Sequence, residues 1–323
     1  MIAYQIFSHS VGLIGIVLNI VLLYFAICKS PSGIKTYSIV IINLAFTDLM
    51  ASFCTIFMEA RMIEMANSTV IVSYGICTDV GAQWCFYGYV LTLHLFLHSQ
   101  FILLYSFCYR LYSLKYGTLS KRNVILGLII IYIPSVIQFI SFSFTIGDPK
   151  YLLQLLFETF PQYRSSIDLK MVTGIDDLQS VGTILGAMIM TISPVFIYPS
   201  VILIRRKIIA TLNENSKYLR HETKLLHRQL LKILTFQSFL PLILVFGLII
   251  YSVEKLGLCI HPFFECAVIG TFEILPMISP IIYLYYVTPY HRAIMMVFGF
   301  DVAKQSTEMT TQTVQKSSLV SVS

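Results

Sequence analysis

The segment NLAFTDLM, residues 43–50, sets a carboxylate, Asp48, inside a run that is otherwise largely apolar from Tyr37 to Phe57. Two more polar side chains interrupt long apolar runs elsewhere: Asn19 in SVGLIGIVLNIVLLYF and Ser279 in LPMISPIIYLYY. A carboxylate, an amide and a hydroxyl in apolar surroundings can do one of two things. Protonated, the carboxyl is a hydrogen-bond donor that ties helices together; free to change partners, it is the hub of a switch. His94 and His98 lie one helical turn apart, a spacing that suits a metal, but no third ligand is placed near them and no metal is expected. No nucleophile with a base, and no other catalytic constellation, is present, so no enzymatic activity and no cofactor are expected.

The elements that must position these groups follow from composition. Of 323 residues, 57% are hydrophobic and 12% charged, against about 25% charged in soluble proteins, and the mean hydropathy is +0.79. An all-α membrane protein is expected, a seven-helix bundle in the lipid bilayer. Seven stretches reach the ~20 apolar residues that cross a ~30 Å hydrocarbon layer: 7–28, 37–59, 85–108, 124–146, 179–204, 229–252 and 265–287. The first has no basic leader and is followed by Lys29, Ser30 and Pro31, which makes it a retained span rather than a signal peptide. At 1.5 Å per residue, Asp48, Asn19 and Ser279 lie about 17, 18 and 21 Å in from the ends of their spans, at one mid-membrane depth. A charge there costs ~2.5–3.5 kcal/mol or more unless paired, hydrated or neutralised.

Placing the N-terminus outside gives seventeen Lys and Arg on the cytoplasmic side and five on the outer side, the asymmetry that orients membrane helices. The net charge of +6 therefore needs no nucleic-acid partner. The sequon Asn67-Ser68-Thr69 falls in the first outer loop, where Asn67 is a possible glycosylation site. Cys77, Cys85, Cys259 and Cys266 lie at the outer side and allow three pairings. Cys77 to Cys85 closes the short loop, with Cys259 to Cys266 as a possible counterpart; Cys28, Cys54 and Cys108 read as small buried hydrophobes. Pro241 in the sixth span and Pro276 and Pro280 in the seventh interrupt helix hydrogen bonding and are candidate hinges, as are Pro194 and Pro199 in the fifth. A pocket in the outer half would draw on Thr92, Phe96 and Gln100, one turn apart on the third span. Glu273, an acidic residue of the seventh, would serve as floor for a cationic ligand or as the partner of a neighbouring histidine. Arg110, after Tyr109 in SFCYRLYSL, either snorkels to headgroups or reaches a polar crevice.

A single Asn in the first span, NLAxxD in the second, Tyr-Arg closing the third, a proline in the sixth and Pro-x-x-Tyr (Pro280 to Tyr283) in the seventh resemble the rhodopsin-like G-protein-coupled receptor layout. SPSGIKTYSIVIINLAFTD, CYRLYSL, HRQLLKILTFQSFLP and TPYHR resemble the nematode serpentine chemoreceptors of the Str superfamily, nearest to its delta class, Srd. The resemblance covers residues 7 to about 300 and implies a chemosensory receptor in the plasma membrane of sensory cilia. It would bind a small molecule outside and signal to a heterotrimeric G protein inside. On that layout Asn19, Asp48, Ser279 and Tyr283 form the polar switch network, and Tyr109 and Arg110 the G-protein coupling site. Three departures stand out: Tyr109 replaces the acid before the arginine, Ser279 replaces an asparagine, and residues 147–178 hold no cysteine to bridge to the third span. Sodium binding at Asp48 is not carried over.

The receptor domain is expected over 1–300, with a basic third cytoplasmic segment that could dock the G protein. A short interfacial helix is expected over 289–299, with Ile294, Val297 and Phe298 on one face, and a disordered Ser/Thr-rich tail over 301–323. Two rival readings remain at this point. A seven-helix ligand-gated cation channel would carry its N-terminus inside, against the charge count; a small-solute transporter would show internal repeats or paired broken helices. An epitope at the C-terminus is expected to be reachable by antibody only after permeabilisation, and Asn67→Gln to abolish an endoglycosidase-sensitive mass shift. Staining of that epitope on intact cells would reverse the orientation and favour the channel.

Overall fold

The computed structural model describes residues 2–30, 32–65, 67–214, 221–256 and 261–297. Six helices are long and apolar enough to cross a membrane: α1 (Ile2–Cys28), α2 (Ser38–Met58), α4 (Ala82–Tyr116), α5 (Lys121–Ser143), α7 (Val181–Glu214) and α10 (Pro262–Tyr286). The expected sixth span, 229–252, is two helices, α8 (His221–Gln237) and α9 (Leu240–Lys255), parted at Ser238 and Phe239. Pro241 explains the break. Without an N–H it cannot bond the carbonyl of Gln237, and it is tolerated only in the first turn of a new helix. α4 and α7 run to 35 and 34 residues, about 50 Å, so both project beyond the hydrocarbon. α11 (Thr288–Val297) follows α10 and is tied back by Tyr290, whose ring stacks on Phe25 at 5.8 Å and whose hydroxyl meets Ser30 at 2.6 Å. The expected tail over 301–323, Phe298 and Cys259 lie outside the described residues.

Helix ends are set by local chemistry. Ser120 caps α5 by accepting from the Asn123 N–H, and Asp148 caps the short helix α6 (Pro149–Thr159) by accepting from Lys150. The isoleucines at 129, 130, 133, 137 and 140 of α5 are exposed. On a helix that faces lipid, an outward apolar row carries no penalty, because acyl chains are as apolar as the side chains. The same holds for Cys28 and Cys108, which are exposed rather than buried as expected; of the three inner cysteines only Cys54 is buried.

One end of the bundle carries a three-stranded antiparallel sheet that the hydrophobic pattern did not predict. β1 (Ala60–Glu64) and β2 (Thr69–Ser73) form a hairpin in the register Ala60 to Ser73, and β3 (Val172–Ile175), from the loop before α7, pairs Val172 with Val72 and Ile175 with Thr69. Gly174 has φ of 151°, and a Cβ there would lie 2.0 Å from the Thr69 carbonyl oxygen. Only glycine lets β3 close on β2. Ser68 donates to the Asp176 carbonyl (2.8 Å) and Leu178 N–H to the Asn67 carbonyl (3.1 Å), locking the sequon-bearing turn to the second loop. α6 packs on this sheet through Leu152 and Leu156. Beside it, a disulfide joins Cys77, at the start of the one-turn helix α3 (Cys77–Val80), to Cys85 in α4. Cys266 is a free, buried thiol and makes no second bridge. The 147–178 loop, without a cysteine, is held by backbone hydrogen bonds.

A buried ion pair fastens the sheet to the bundle. Arg61 of β1 donates to Glu265 of α10 at 3.0 Å, with both side chains at most 3% exposed. The Tyr163 hydroxyl donates to the other carboxylate oxygen at 2.5 Å, and the guanidinium lies 4.7 Å from the Tyr163 ring and 5.7 Å from that of Tyr74. Burial, aided by the bond to Glu265, pushes the Tyr163 pKa above the usual tyrosine range, so the phenol stays a donor. Removing one partner of such a pair strands the other charge, which costs about 3–5 kcal/mol. Glu265→Ala is therefore expected to lower the thermal midpoint of the receptor in lipid nanodiscs strongly. Tyr163→Phe, which removes one charge-assisted hydrogen bond of ~1.5–3 kcal/mol, is expected to lower it less. Equal midpoints for the two variants would refute the assignment of the ion pair as the main fastener.

Candidate functional site

Beneath the sheet lies a chamber of about 220 Å³. Met62 of β1, Thr69 of β2 and Ile175 of β3 roof it, and Thr92 of α4 and Tyr251 of α9 line its sides. Phe272 of α10 lies at its base, edge-on to Phe96 of α4 with ring centroids 5.2 Å apart. Phe96 is not among the chamber's lining residues; with Phe272 it borders a smaller space of about 20 Å³ that reaches Asp48 and Pro276. Thr92, Phe96 and Gln100 thus sit at three successive levels of α4. Gln100, on the next level, accepts from the Tyr198 hydroxyl at 2.8 Å. Glu273, expected at the pocket floor, faces α1 instead: its Oε1 accepts from Ser8 at 2.8 Å and from Tyr4 at 3.3 Å. The neighbouring Phe272 is the one turned to the chamber, since adjacent helix positions point about 100° apart. The acid's partners are hydroxyls, with no histidine among them.

The polar layer is built by a proline. Pro280 has no N–H, so the Pro276 carbonyl four residues earlier loses its helix partner. Asn19 supplies the missing donor at 2.9 Å and bonds the Gly15 carbonyl, also at 2.9 Å. Gly15 is what lets the helices close here, since a Cβ would lie 2.4 Å from Ser52 Oγ of α2. Asp48, 6% exposed, and Ser279, 4% exposed, line a cavity of about 40 Å³ together with Gln100, Ser106 and Gln237. Ser279 lies beside Asp48, yet Asp48 Oδ2, Ser279 Oγ and Asn19 Oδ1 are buried with no hydrogen-bond partner among the described residues. The size and polar lining suit about one bound water. Pro276 and Pro280 both lie inside α10, and Pro241 opens α9 just across the bundle.

Tyr283 joins this layer through one intermediary, Gln237, a residue of the Asp48 cavity. Its hydroxyl donates to Gln237 at 3.2 Å, at the last residue before the α8–α9 break. It also belongs to a cluster at the far end of the bundle, around Arg110. That arginine is 4% exposed and points inward, with its guanidinium 3.9 Å from the centre of the Tyr37 ring. Tyr37 and Tyr109 rings lie 5.3 Å apart, and Tyr109 is buried in the core. With no acid before it, Arg110 is held by the Tyr37 ring face, a cation–π contact of ~0.5–2 kcal/mol. Its Nε and Nη2 have no acceptor among the described residues. Tyr37 and Gln237 were not singled out from sequence; both sit in the quoted segments, IKTYSI and TFQSFLP, and their signal was a polar atom beside a helix boundary.

The two histidines are engaged elsewhere. His94 Nδ1 donates to the Ser135 carbonyl at 2.8 Å and His98 Nε2 accepts from Asn43 at 3.1 Å, with the Tyr132 ring 3.8 Å from that of His98. Among the described residues no group of three possible metal ligands occurs.

The profile of the family described as Serpentine type 7TM GPCR chemoreceptor Srd matches residues 4–296. The chain belongs to this Srd family. It is similar to Serpentine receptor class delta-18 of Caenorhabditis elegans, 33% identical over 90% of this chain and 87% of that one. To class delta-19 of the same organism it is 31% identical, over 91% and 87%. Among solved structures, squid rhodopsin covers 92% of this chain and 85% of its own with a TM-score of 0.57 and 15% identity, a likeness of fold. The Srd chain is thus a multi-pass membrane protein of a chemoreceptor family with a rhodopsin-like seven-helix bundle. In this Srd chain, Asn19→Leu is expected to strand the Pro276 carbonyl and lower stability by about 1–3 kcal/mol, read as a reduced thermal midpoint in nanodiscs. An unchanged midpoint would show that the carbonyl finds another donor.

Proposed function

We propose that this Srd receptor binds a small molecule in the chamber beneath the sheet and reports it through α10 to a heterotrimeric G protein. The sheet end faces outside and the Arg110 end the cytoplasm, in the plasma membrane of sensory cilia. The observation that carries this reading is the sequence of contacts along one helix. Phe272 borders the chamber, Pro276 and Pro280 follow at intervals of one turn, Ser279 flanks Asp48, and Tyr283 reaches Gln237 beside the Arg110 cluster. A chamber that is mostly apolar with a few polar groups, here hydroxyls and the Glu64 carboxylate, is the usual form of a small-molecule site. A ligand that favours one position of Phe272 biases the whole helix, because it can shift an equilibrium only by its difference in affinity for the two states. The family's receptor names and the charge asymmetry support this over a channel, a transporter or an enzyme.

In this reading the Arg110 cluster is the resting state. A shift of α10 moves Tyr283 and the Gln237 end of α8, frees Arg110 from Tyr37 and opens the cytoplasmic end to the G protein. Expression with a panel of volatile and water-soluble compounds, read by a G-protein reporter together with surface level in the same cells, tests it. Asp48→Asn is expected to keep near-normal surface level while signal per surface receptor changes several-fold. Arg110→Ala is expected to reduce coupling, and Tyr37→Leu to raise basal signalling by roughly 2- to 30-fold, the equivalent of the lost cation–π contact. A fall in surface level with unchanged signal per receptor for all three variants would make these residues structural only.

A further inference from the structure

The chamber is closed where an aqueous ligand would arrive. Its roof residues Met62, Thr69 and Ile175 are 6%, 4% and 4% exposed, and the Arg61, Glu265 and Tyr163 contacts hold the roof down. Of all the described residues that line the chamber, only Ala187 and Thr191 are exposed. Both are on α7, about 9 and 15 Å along the helix from Val181. That places them within the hydrocarbon layer rather than at its surface.

Packing explains why the wall is open there. α7 is drawn onto α5, since a Cβ on Gly186 would lie 2.6 Å from the Phe142 ring. α9 is drawn onto α10, where a Cβ on Gly247 would lie 2.4 Å from Thr271 Oγ1. Each helix is thus packed onto a different neighbour, and the exposed edge of the chamber is the Ala187 and Thr191 face of α7. We infer that the chamber's ligand is an apolar, uncharged molecule dissolved in the sheet-side leaflet, which reaches its site sideways past Ala187 and Thr191 and not through the sheet. This deepens the proposed function and rests on the chamber being the ligand site.

The lining fits such a molecule. About half of it is Met, Leu, Ile, Val and Phe; the polar groups are the hydroxyls of Thr69, Thr92, Thr183, Thr191, Tyr89 and Tyr251 and the Glu64 carboxylate, which is engaged within the lining itself by Thr69 at 2.8 Å and by Tyr251. The space is that of ~7 liquid waters, so the guest is small, with one or two hydrogen-bonding groups such as an alcohol, ketone or ester. A full charge is excluded by the route, because it would have to enter hydrocarbon first.

The test measures access, not signalling. Leu93, on α4 and 7% exposed, lines the chamber; Leu93→Cys puts a thiol inside it. The full-length receptor in lipid nanodiscs is treated with benzyl methanethiosulfonate, which is uncharged and lipophilic, or with 2-(trimethylammonium)ethyl methanethiosulfonate, which is charged and stays in water. Modification at residue 93 is read by peptide mass mapping, which also reports whether the Cys77 to Cys85 bridge is intact in each variant. The benzyl reagent is expected to label at least tenfold faster. Ala187→Trp and, independently, Thr191→Phe are each expected to slow it at least fivefold, whereas Tyr163→Phe, which loosens the roof, should leave its rate within twofold. Comparable labelling by the charged reagent, no labelling by either, or a benzyl rate that follows Tyr163→Phe and ignores both α7 variants would each overturn lateral access. A receptor that labels as expected yet answers no compound would leave the access route standing and remove the proposed function. A receptor that signals but fails the labelling test would do the reverse.

Discussion

The Asn19 amide on the Pro276 carbonyl is the contact from which the rest of the bundle is positioned. It exists because Pro280 removes the donor that a regular helix would have provided, and because nothing but protein can supply a replacement in hydrocarbon, where an unsatisfied backbone group costs several kcal/mol. The distances of 2.9 Å to both Gly15 and Pro276 fix α1 against α10, and the missing side chain of Gly15 brings α2 into the same contact. Once those three helices are registered, Asp48 and Ser279 have no freedom to be anywhere but across a shared cavity. About two turns above Ser279, the same helix presents Phe272 to Phe96; about one turn below, it presents Tyr283 to Gln237.

The two ends of the molecule are fastened by opposite strategies. At the sheet end, Arg61 has both a carboxylate and aromatic faces, and the charges are matched. At the far end, Arg110 has the Tyr37 ring face, and among the described residues it has no carboxylate partner and two of its nitrogens have no acceptor. An ion pair buried in protein is hard to separate, whereas a cation held by ring faces alone is held weakly and gains by leaving for any environment that offers acceptors. The asymmetry places the stiff end around the chamber and the labile end where a partner would dock. The substitution of Tyr109 for an acid is the sequence difference responsible.

Much of this was legible from residue order. Spans, the mid-membrane depth of Asn19, Asp48 and Ser279, and the Srd resemblance all follow from apolar run length and short motifs, because lipid imposes one strong constraint on every crossing. The broken sixth crossing was legible only as a proline, since Pro241 signals a weak point without saying whether the helix bends or restarts. The sheet was missed because TVIVS and ARMIE lie in a loop where strand-forming residues compete with no visible period, and its third strand is a hundred residues away. Glu273 was assigned to the wrong neighbours because depth along a helix can be counted from sequence but rotation about its axis cannot, and the link from Tyr283 to the polar layer was not visible because it runs through Gln237, at a helix end set by the Pro241 break. Arg61 and Glu265 carried no signal beyond their charge, as the pairing of a loop residue with a helix start is a matter of tertiary geometry.

The sheet sets an order on biogenesis. Thr69 pairs with Ile175, so β2 leaves the ribosome long before its third partner exists. Until α4 and α5 are inserted and β3 follows, the hairpin presents the Val70 to Val72 edge with its backbone groups unpaired, the kind of apolar strand edge that invites pairing with other chains. A nascent receptor stalled after α5 would display this edge to any chaperone on its side of the membrane, while one that has inserted α7 would have hidden it. The loop that caps the chamber thereby doubles as a marker of how far insertion has progressed.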